Sequence, residues 1–341
     1  MTPSSPATPV GAYAAAMERL AEDLALVEGA MRAQLASASE VLAALGDHVL
    51  AAGGKRMRPA LLLLAAEMCG YTGPRRVHVA AAVELLHTAT LLHDDVVDLS
   101  ELRRGRPSAN ALWGNRRAVL AGDFFYARAS SLIVEDGDLD ILWIFADTIR
   151  SMAEGELLQL QRSFDPSVTE SHYFQVIERK SAVLLSAACE SGAILGGVTR
   201  AERRRLAEYG RELGLAFQLR DDALDYEDRQ ADLGKRPYDD LREGKVTLPL
   251  LLALKRCSAA EREAVASLLK AVSRSPDPAA ADPLDLSPAI EVVRRYRGVE
   301  DTVRRAEEHA RRARTAIAPF PDGGAQSDLL AAADFAAMRD R

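Results

Sequence analysis

From Gly11 onward, apolar residues recur at spacings of three and four almost throughout the chain, and no run of alternating β-branched residues interrupts them. That period lines apolar side chains along one face of an α-helix, whereas a half-buried strand needs alternation. Ala and Leu are abundant and aromatics make up only 5% of the chain, which favours helix over sheet. The pattern predicts an all-α protein: one domain of about a dozen helices over residues 11–341, behind a loose, disordered tail at residues 1–10.

Gly, Pro and short polar residues mark the expected breaks at Gly53-Gly54, Gly70 to Pro74, Gly105 to Pro107, Asp165-Pro166, Gly234 to Pro237 and Ser273 to Ser287. Only the last is linker-like. The helical pattern resumes at once and runs from Ala289 to Ala318, so the stretch reads as a solvent loop inside the domain. With 48% hydrophobic residues the chain can bury a large core, and the net charge of -7 argues against general attraction to nucleic acid or an anionic membrane. Cys69, Cys189 and Cys257 lack the paired spacing of a zinc site or disulfide framework and read as thiols in a reducing cytoplasm. No apolar run reaches the length of a membrane span, and the N-terminus has no basic start followed by an apolar stretch.

Function is carried by two acidic clusters. In VELLHTATLLHDDVVDL, Glu84, His87, Asp94 or Asp95, and Asp98 fall along one helical stripe. Aspartates four apart repel by roughly 0.2–0.5 kcal/mol, so the arrangement opposes helix stability and calls for compensation. One such cluster would suit a solvated helix end equally well. The pattern returns in FQLRDDALDYED, where Gln218, Asp221, Asp222 and Asp225 share a face, and both clusters are flanked by Leu, Val and Ala. Carboxylates at the mouth of an apolar interior must be paired or bind metal. Oxygen ligands alone suit a hard cation, and Mg²⁺ takes few carboxylates while sharing its other sites with water and phosphate. Two facing aspartate helices suggest a diphosphate bound through Mg²⁺.

An acidic protein that binds diphosphate needs local cations. GGKRMRP supplies Lys55, Arg56 and Arg58 beside two glycines opening a helix, and Arg103-Arg104-Gly105-Arg106 follows the first acidic helix directly. Lys180 precedes Ser181 in an apolar helix, and Lys235 and Lys245 follow the second cluster. Taken singly, each of these has an ordinary surface reading.

In order, GGKRMRP, ELLHTATLLHDDVVD, RRGRP, GDFFYARA, AEGELLQL, Lys180-Ser181, FQLRDDALDYED and DDLREGKVTLPL closely resemble the trans-isoprenyl diphosphate synthase (polyprenyl synthetase) family over about residues 53–250. Within it the likeness is greatest to the long-chain octaprenyl, solanesyl and decaprenyl type. The resemblance implies the isoprenoid synthase fold, helices around a central cavity, and a homodimer in the cytoplasm. It implies that Lys55, Arg58, His87 and Arg104 hold isopentenyl diphosphate. Arg103, Lys180, Ser181, Gln218, Lys235 and Lys245 would contact the allylic diphosphate or its metals. Asp94, Asp95, Asp98, Asp221, Asp222 and Asp225 would bind Mg²⁺, three ions bridging that diphosphate, with Lys180 and all these aspartates except Asp225 counted as catalytic.

The implied reaction adds isopentenyl diphosphate to farnesyl or geranylgeranyl diphosphate by ionisation, condensation and elimination, giving a long all-trans polyprenyl diphosphate. The small residues Ala89 and Thr90, one turn before the first aspartates, would leave a tunnel open for it; the same residues also suit close packing against a neighbouring helix. A shorter-chain farnesyl or geranylgeranyl synthase, and a noncatalytic subunit of a heteromeric synthase, are the alternatives within the family. A class I terpene cyclase typically lacks the second aspartate motif and GGKR. Two departures stand out: Ser181 replaces the commoner threonine, and Tyr238 stands where the family usually has glycine.

Overall fold

The computed structural model describes residues 8–35, 39–51, 53–227, 238–274 and 285–339. In chain order the helices are α1 (Pro9–Arg19), α2 (Ala21–Gln34), α3 (Glu40–Ala51), α4 (Met57–Met68), α5 (Arg75–Val97), α6 (Ala109–Trp113), α7 (Asn115–Asp136), α8 (Leu139–Gln161) and α9 (Glu170–Ile177). A π-helical turn at Glu178–Ala182 leads into α10 (Val183–Leu195), followed by α11 (Arg200–Leu224), α12 (Asp239–Arg242), α13 (Leu248–Leu254) and α14 (Ala259–Val272). The chain ends in α15 (Ser287–Arg295), α16 (Gly298–Ile317) and α17 (Gly324–Met338). The protein is all-α as expected, with more and shorter helices than the dozen anticipated. One hairpin was not anticipated: β1 (Leu102–Arg103) pairs antiparallel with β2 (Arg106–Pro107). Strands this short leave no periodic signal. The two-residue turn between them is formed by Arg104 (φ 54) and Gly105 (φ 72), both left-handed, as tight hairpin turns require.

Helix starts follow the local chemistry. Thr8 caps α1 by accepting from the Gly11 N–H, so this helix begins at Pro9, earlier than the Gly11 start expected. Ser258 and Glu261 form a reciprocal capping box on α14. The run expected to be continuous from Ala289 to Ala318 breaks at Arg297 (φ 57). There Gly298 lies so close to α13 that a Cβ would sit 2.1 Å from the Pro249 carbonyl, and the continuous apolar pattern gives no hint of that contact.

The chain divides into two compact units, each assembled from separated segments: Met1–Thr148, Leu184–Gly210 and Arg314–Ala332 in one, Ile149–Val183, Arg211–Ala313 and Ala333–Arg341 in the other. In the first, α4 is buried on every side from Pro59 to Ala66, and α5 packs against α7, α2 and α4. Each fully buried leucine there contributes about 1.5–3 kcal/mol. Close approach depends on glycine: a Cβ on Gly192 of α10 would lie 2.6 Å from the Leu62 carbonyl. The buried Tyr209 donates to the Leu329 carbonyl at 2.7 Å, fastening α17. In the second unit α13 is wholly buried and packs against α15 and α9. Buried Glu212 meets His309 at 2.6 Å. No helix among the described residues is long and apolar enough to cross a membrane. The three cysteines are free.

Candidate active site

The first cluster is built on the C-terminal half of α5. Glu84, His87, Ala89, Thr90, Asp94 and Asp95 lie on this helix, and Asp98 is its C-cap, so the predicted stripe forms. Asp94 and Asp98 are half-buried, whereas Asp95 is 3% exposed and its carboxylate accepts from Arg103 Nε at 2.7 Å. Burial raises the Asp95 pKa above the ordinary value, against the pull of Arg103. The hairpin turn therefore returns a basic residue onto the acidic helix that precedes it. Ser108 and Asn110 secure the return by donating to the Ser100 carbonyl at 2.6 and 3.0 Å.

Residues 53–56 form the loop that opens α4, and the structure ties it to the same helix. Gly53 has φ +64, which glycine adopts without strain. The Gly53 carbonyl accepts from Arg104, and a Cβ on Gly54 would sit 2.8 Å from that guanidinium. Lys55 is exposed in this loop and Arg58 is half-buried on the first turn of α4. His87 lies among Arg58, Arg104, Arg103 and Arg56; burial first, then these cations, hold its pKa well below the usual imidazole range. It is a neutral hydrogen-bonding group at neutral pH. Ala89 is 2% exposed, and Thr90 turns its hydroxyl back onto the His87 carbonyl at 2.8 Å.

The second cluster lies in the second unit. Ser181 Oγ donates to Gln218 Oε1 (2.9 Å), Gln218 Nε2 donates to Asp222 Oδ1 (2.8 Å), and Tyr173 donates its hydroxyl to the other Asp222 oxygen. Lys180 pairs with Glu156 at 2.5 Å, and Lys245 pairs with Glu243. Lys180 and Ser181 sit on the π-helical turn, a feature frequent at functional sites. Two glycines admit it: a Cβ on Gly155 of α8 would be 2.8 Å from the Lys180 nitrogen, and one on Gly214 of α11 would be 2.6 Å from Ala182 Cα. A cavity of about 130 Å³ is lined by Lys180, Ser181, Gln218, Asp222, Asp240 and Lys245 together with apolar residues.

Charge is crowded here. Burial, then the nearby Asp240, pushes the Asp222 carboxyl up to about 8, and burial with Asp240 and Asp239 does the same to Asp225. Carboxyls held so far up are sites where a cation would relieve an unfavourable burial. Among the described residues no three His, Cys, Asp or Glu side chains converge as a closed metal cage. The donor set thus fits a hard cation that keeps water and phosphate oxygens, the habit of Mg²⁺. Asp225 is engaged otherwise than expected: its two oxygens accept the Asp239 and Asp240 N–H groups at 3.1 and 3.3 Å, which anchors the start of α12. Asp221 pairs with Arg339. Lys235 lies outside the described residues.

The polyprenyl synthetase family profile matches residues 39–281. The chain belongs to the polyprenyl synthetase family. Octaprenyl diphosphate synthase of Escherichia coli is 41% identical over 324 residues, 95% of this chain and 98% of that protein. A polyprenyl synthase from Caulobacter crescentus, crystallised with calcium and isoprenyl diphosphate, superposes with a TM-score of 0.90 at 40% identity, covering 96% of this chain and 98% of the other. A decaprenyl diphosphate synthase from Rhodobacter capsulatus gives 0.89 at 39% identity, covering 96% and 99%.

This polyprenyl synthetase also brings to its clusters residues that the motifs did not single out. Tyr173 and Asp240 border Asp222, and Arg339 reaches Asp221 while its guanidinium stacks 3.6 Å over the Phe217 ring. The Arg339 carbonyl accepts from Arg220 across 119 residues of sequence. Only Asp240 carried a signal, as part of DDLREGK; the others become neighbours through folding alone. Tyr238, at the position where the synthetases usually have glycine, adopts φ 64 and sets its ring edge-on against Tyr226. The backbone keeps the conformation that glycine would supply, at about 1–2 kcal/mol of strain.

Proposed function

We propose that this chain condenses isopentenyl diphosphate with an allylic diphosphate, farnesyl or geranylgeranyl diphosphate, and repeats the addition to build a long all-trans polyprenyl diphosphate. The observation that carries the reading is the second cluster: crowded, buried carboxylates beside a cavity that also presents Lys180, Ser181, Gln218 and Lys245. Residues 11–341 act as the synthase domain, in the cytoplasm.

Asp94, Asp95, Asp98, Asp221 and Asp222 are the groups that would hold Mg²⁺, three ions in the full set, with Asp225 keeping the α12 loop in register behind them. Mg²⁺ supplies charge stabilisation to the diphosphate that leaves the allylic carbon. Lys180, Ser181, Gln218, Lys245, Lys235 and Arg103 orient that diphosphate, and the carboxylates now paired with Lys180 and Arg103 yield to it. Lys55, Arg58 and Arg104 bind the diphosphate of isopentenyl diphosphate, and neutral His87 donates a hydrogen bond without adding charge. The apolar interior keeps water away from the allylic cation. With no basic side chain assigned to the final proton, the departing diphosphate accepts it.

Buried Ala89 and the inward-bonded Thr90 present little bulk one turn before the aspartates, which supports a tunnel for a long product. The homodimer reading is supported by large apolar side chains left exposed on neighbouring segments of the chain: Val119, Leu120, Tyr126 and Val134 on α7, then Leu139 and Trp143 on α8. The test is elongation of farnesyl diphosphate by isopentenyl diphosphate with Mg²⁺ present. Asp94→Ala should lower kcat on the order of 10²- to 10³-fold with the fold intact by circular dichroism. A wild-type rate in that variant would remove the first cluster from the reaction.

A further inference from the structure

Arg56 is the residue of GGKRMRP to which no substrate contact is ascribed, and it is the most firmly held. It lies in left-handed backbone (φ 46) directly before α4, a conformation a non-glycine residue keeps only where its surroundings fix it. Its side chain is 12% exposed and forks between two other helices: Nε donates to Glu28 of α2 at 3.0 Å and Nη1 to Glu84 of α5 at 2.9 Å. Glu84 is itself 4% exposed and lies one turn before His87. At the other end of the loop, Arg104 donates to the Gly53 carbonyl. The stretch bearing Lys55, with Arg58 two residues after Arg56, is thus pinned on both sides.

A guanidinium engaged by two carboxylates is largely neutralised and makes a poor ligand for a diphosphate, but a planar fork that satisfies both acids fixes direction as well as distance. We propose that Arg56, through Glu84 and Glu28, is a positioning residue that sets Lys55 and Arg58 against the diphosphate of isopentenyl diphosphate and leaves the allylic subsite untouched. The inference rests on the functional reading above, which assigns Lys55 and Arg58 to that diphosphate. Lysine cannot substitute: it keeps the charge but loses the fork.

The test is initial-rate kinetics of Arg56→Lys and Glu28→Gln beside wild type, varying isopentenyl diphosphate at saturating farnesyl diphosphate and then the converse, with thermal melts of each protein. Arg56→Lys should raise the KM for isopentenyl diphosphate about tenfold, the effect of losing one charge-assisted hydrogen bond. Its kcat and its KM for farnesyl diphosphate should stay within about twofold of wild type. Glu28→Gln removes the half-exposed carboxylate and should move the same KM in the same direction by less, which keeps the test available if Arg56→Lys folds poorly. An unchanged KM for isopentenyl diphosphate, or equal changes in both KM values, overturns the proposal. Failure of the wild type to elongate defeats the functional reading instead, so the two failures are separable.

Discussion

His87 shows how a single side chain is tuned by what surrounds it. Burial and four arginines keep it neutral in the folded protein, whereas in the unfolded chain it protonates near its ordinary value of about 6.5. Below that pH the unfolded state takes up the extra proton, so the His87 contribution to stability is lost as pH falls. Urea unfolding at pH 7 and pH 5 should therefore show the stability advantage of wild type over His87→Gln shrinking, or reversing, at the lower pH. A constant difference between the two proteins would mean that His87 protonates equally in both states. At this scale the sequence was informative where chemistry is written as spacing: the stripes of α5 and α11 emerge with Asp94, Asp98, Gln218 and Asp222 in place. It was silent where chemistry depends on the partner. Nothing near Arg56 in the chain marks it as the anchor between Glu28 and Glu84, and Arg339 lies far beyond the motifs whose aspartate it meets.

At the scale of elements, glycines decide which segments come close enough to build the site. Gly214 brings α11 onto the π-helical turn that carries Lys180 and Ser181, so alanine there meets Ala182 at sub-van der Waals distance. Alanine is ordinarily the better helix former by about 0.8–1 kcal/mol, but overpacking costs about 1–3 kcal/mol, and the second effect wins. Gly214→Ala should lower the denaturation midpoint. Gly29, in the middle of α2 with open space at its Cβ position, should raise it when replaced by alanine. Equal signs for the two variants in urea melts would refute this contact argument. Helix type was plain in the apolar period, yet the breaks at Gly114 and Arg297 and the short hairpin were not. The first two arise from backbone reversals and from a close approach to Pro249, and the hairpin is too short to alternate.

At the scale of the whole molecule, each compact unit carries one aspartate motif with its own basic residues: Arg103, Arg104 and the GGKR loop in one, Lys180 and Lys245 in the other. Motif order along the chain was enough to reach the family, because eight short patterns in sequence constrain identity more than any one of them. Division into units was not legible, since both are assembled from segments far apart in sequence. The central claim is chain elongation to a long product, and mass analysis of the dephosphorylated products from wild-type protein, Mg²⁺, isopentenyl diphosphate and farnesyl diphosphate tests it most directly. The account predicts a ladder of five-carbon increments ending at one defined long chain. Primer returned unextended, or converted to a cyclised hydrocarbon, would contradict it.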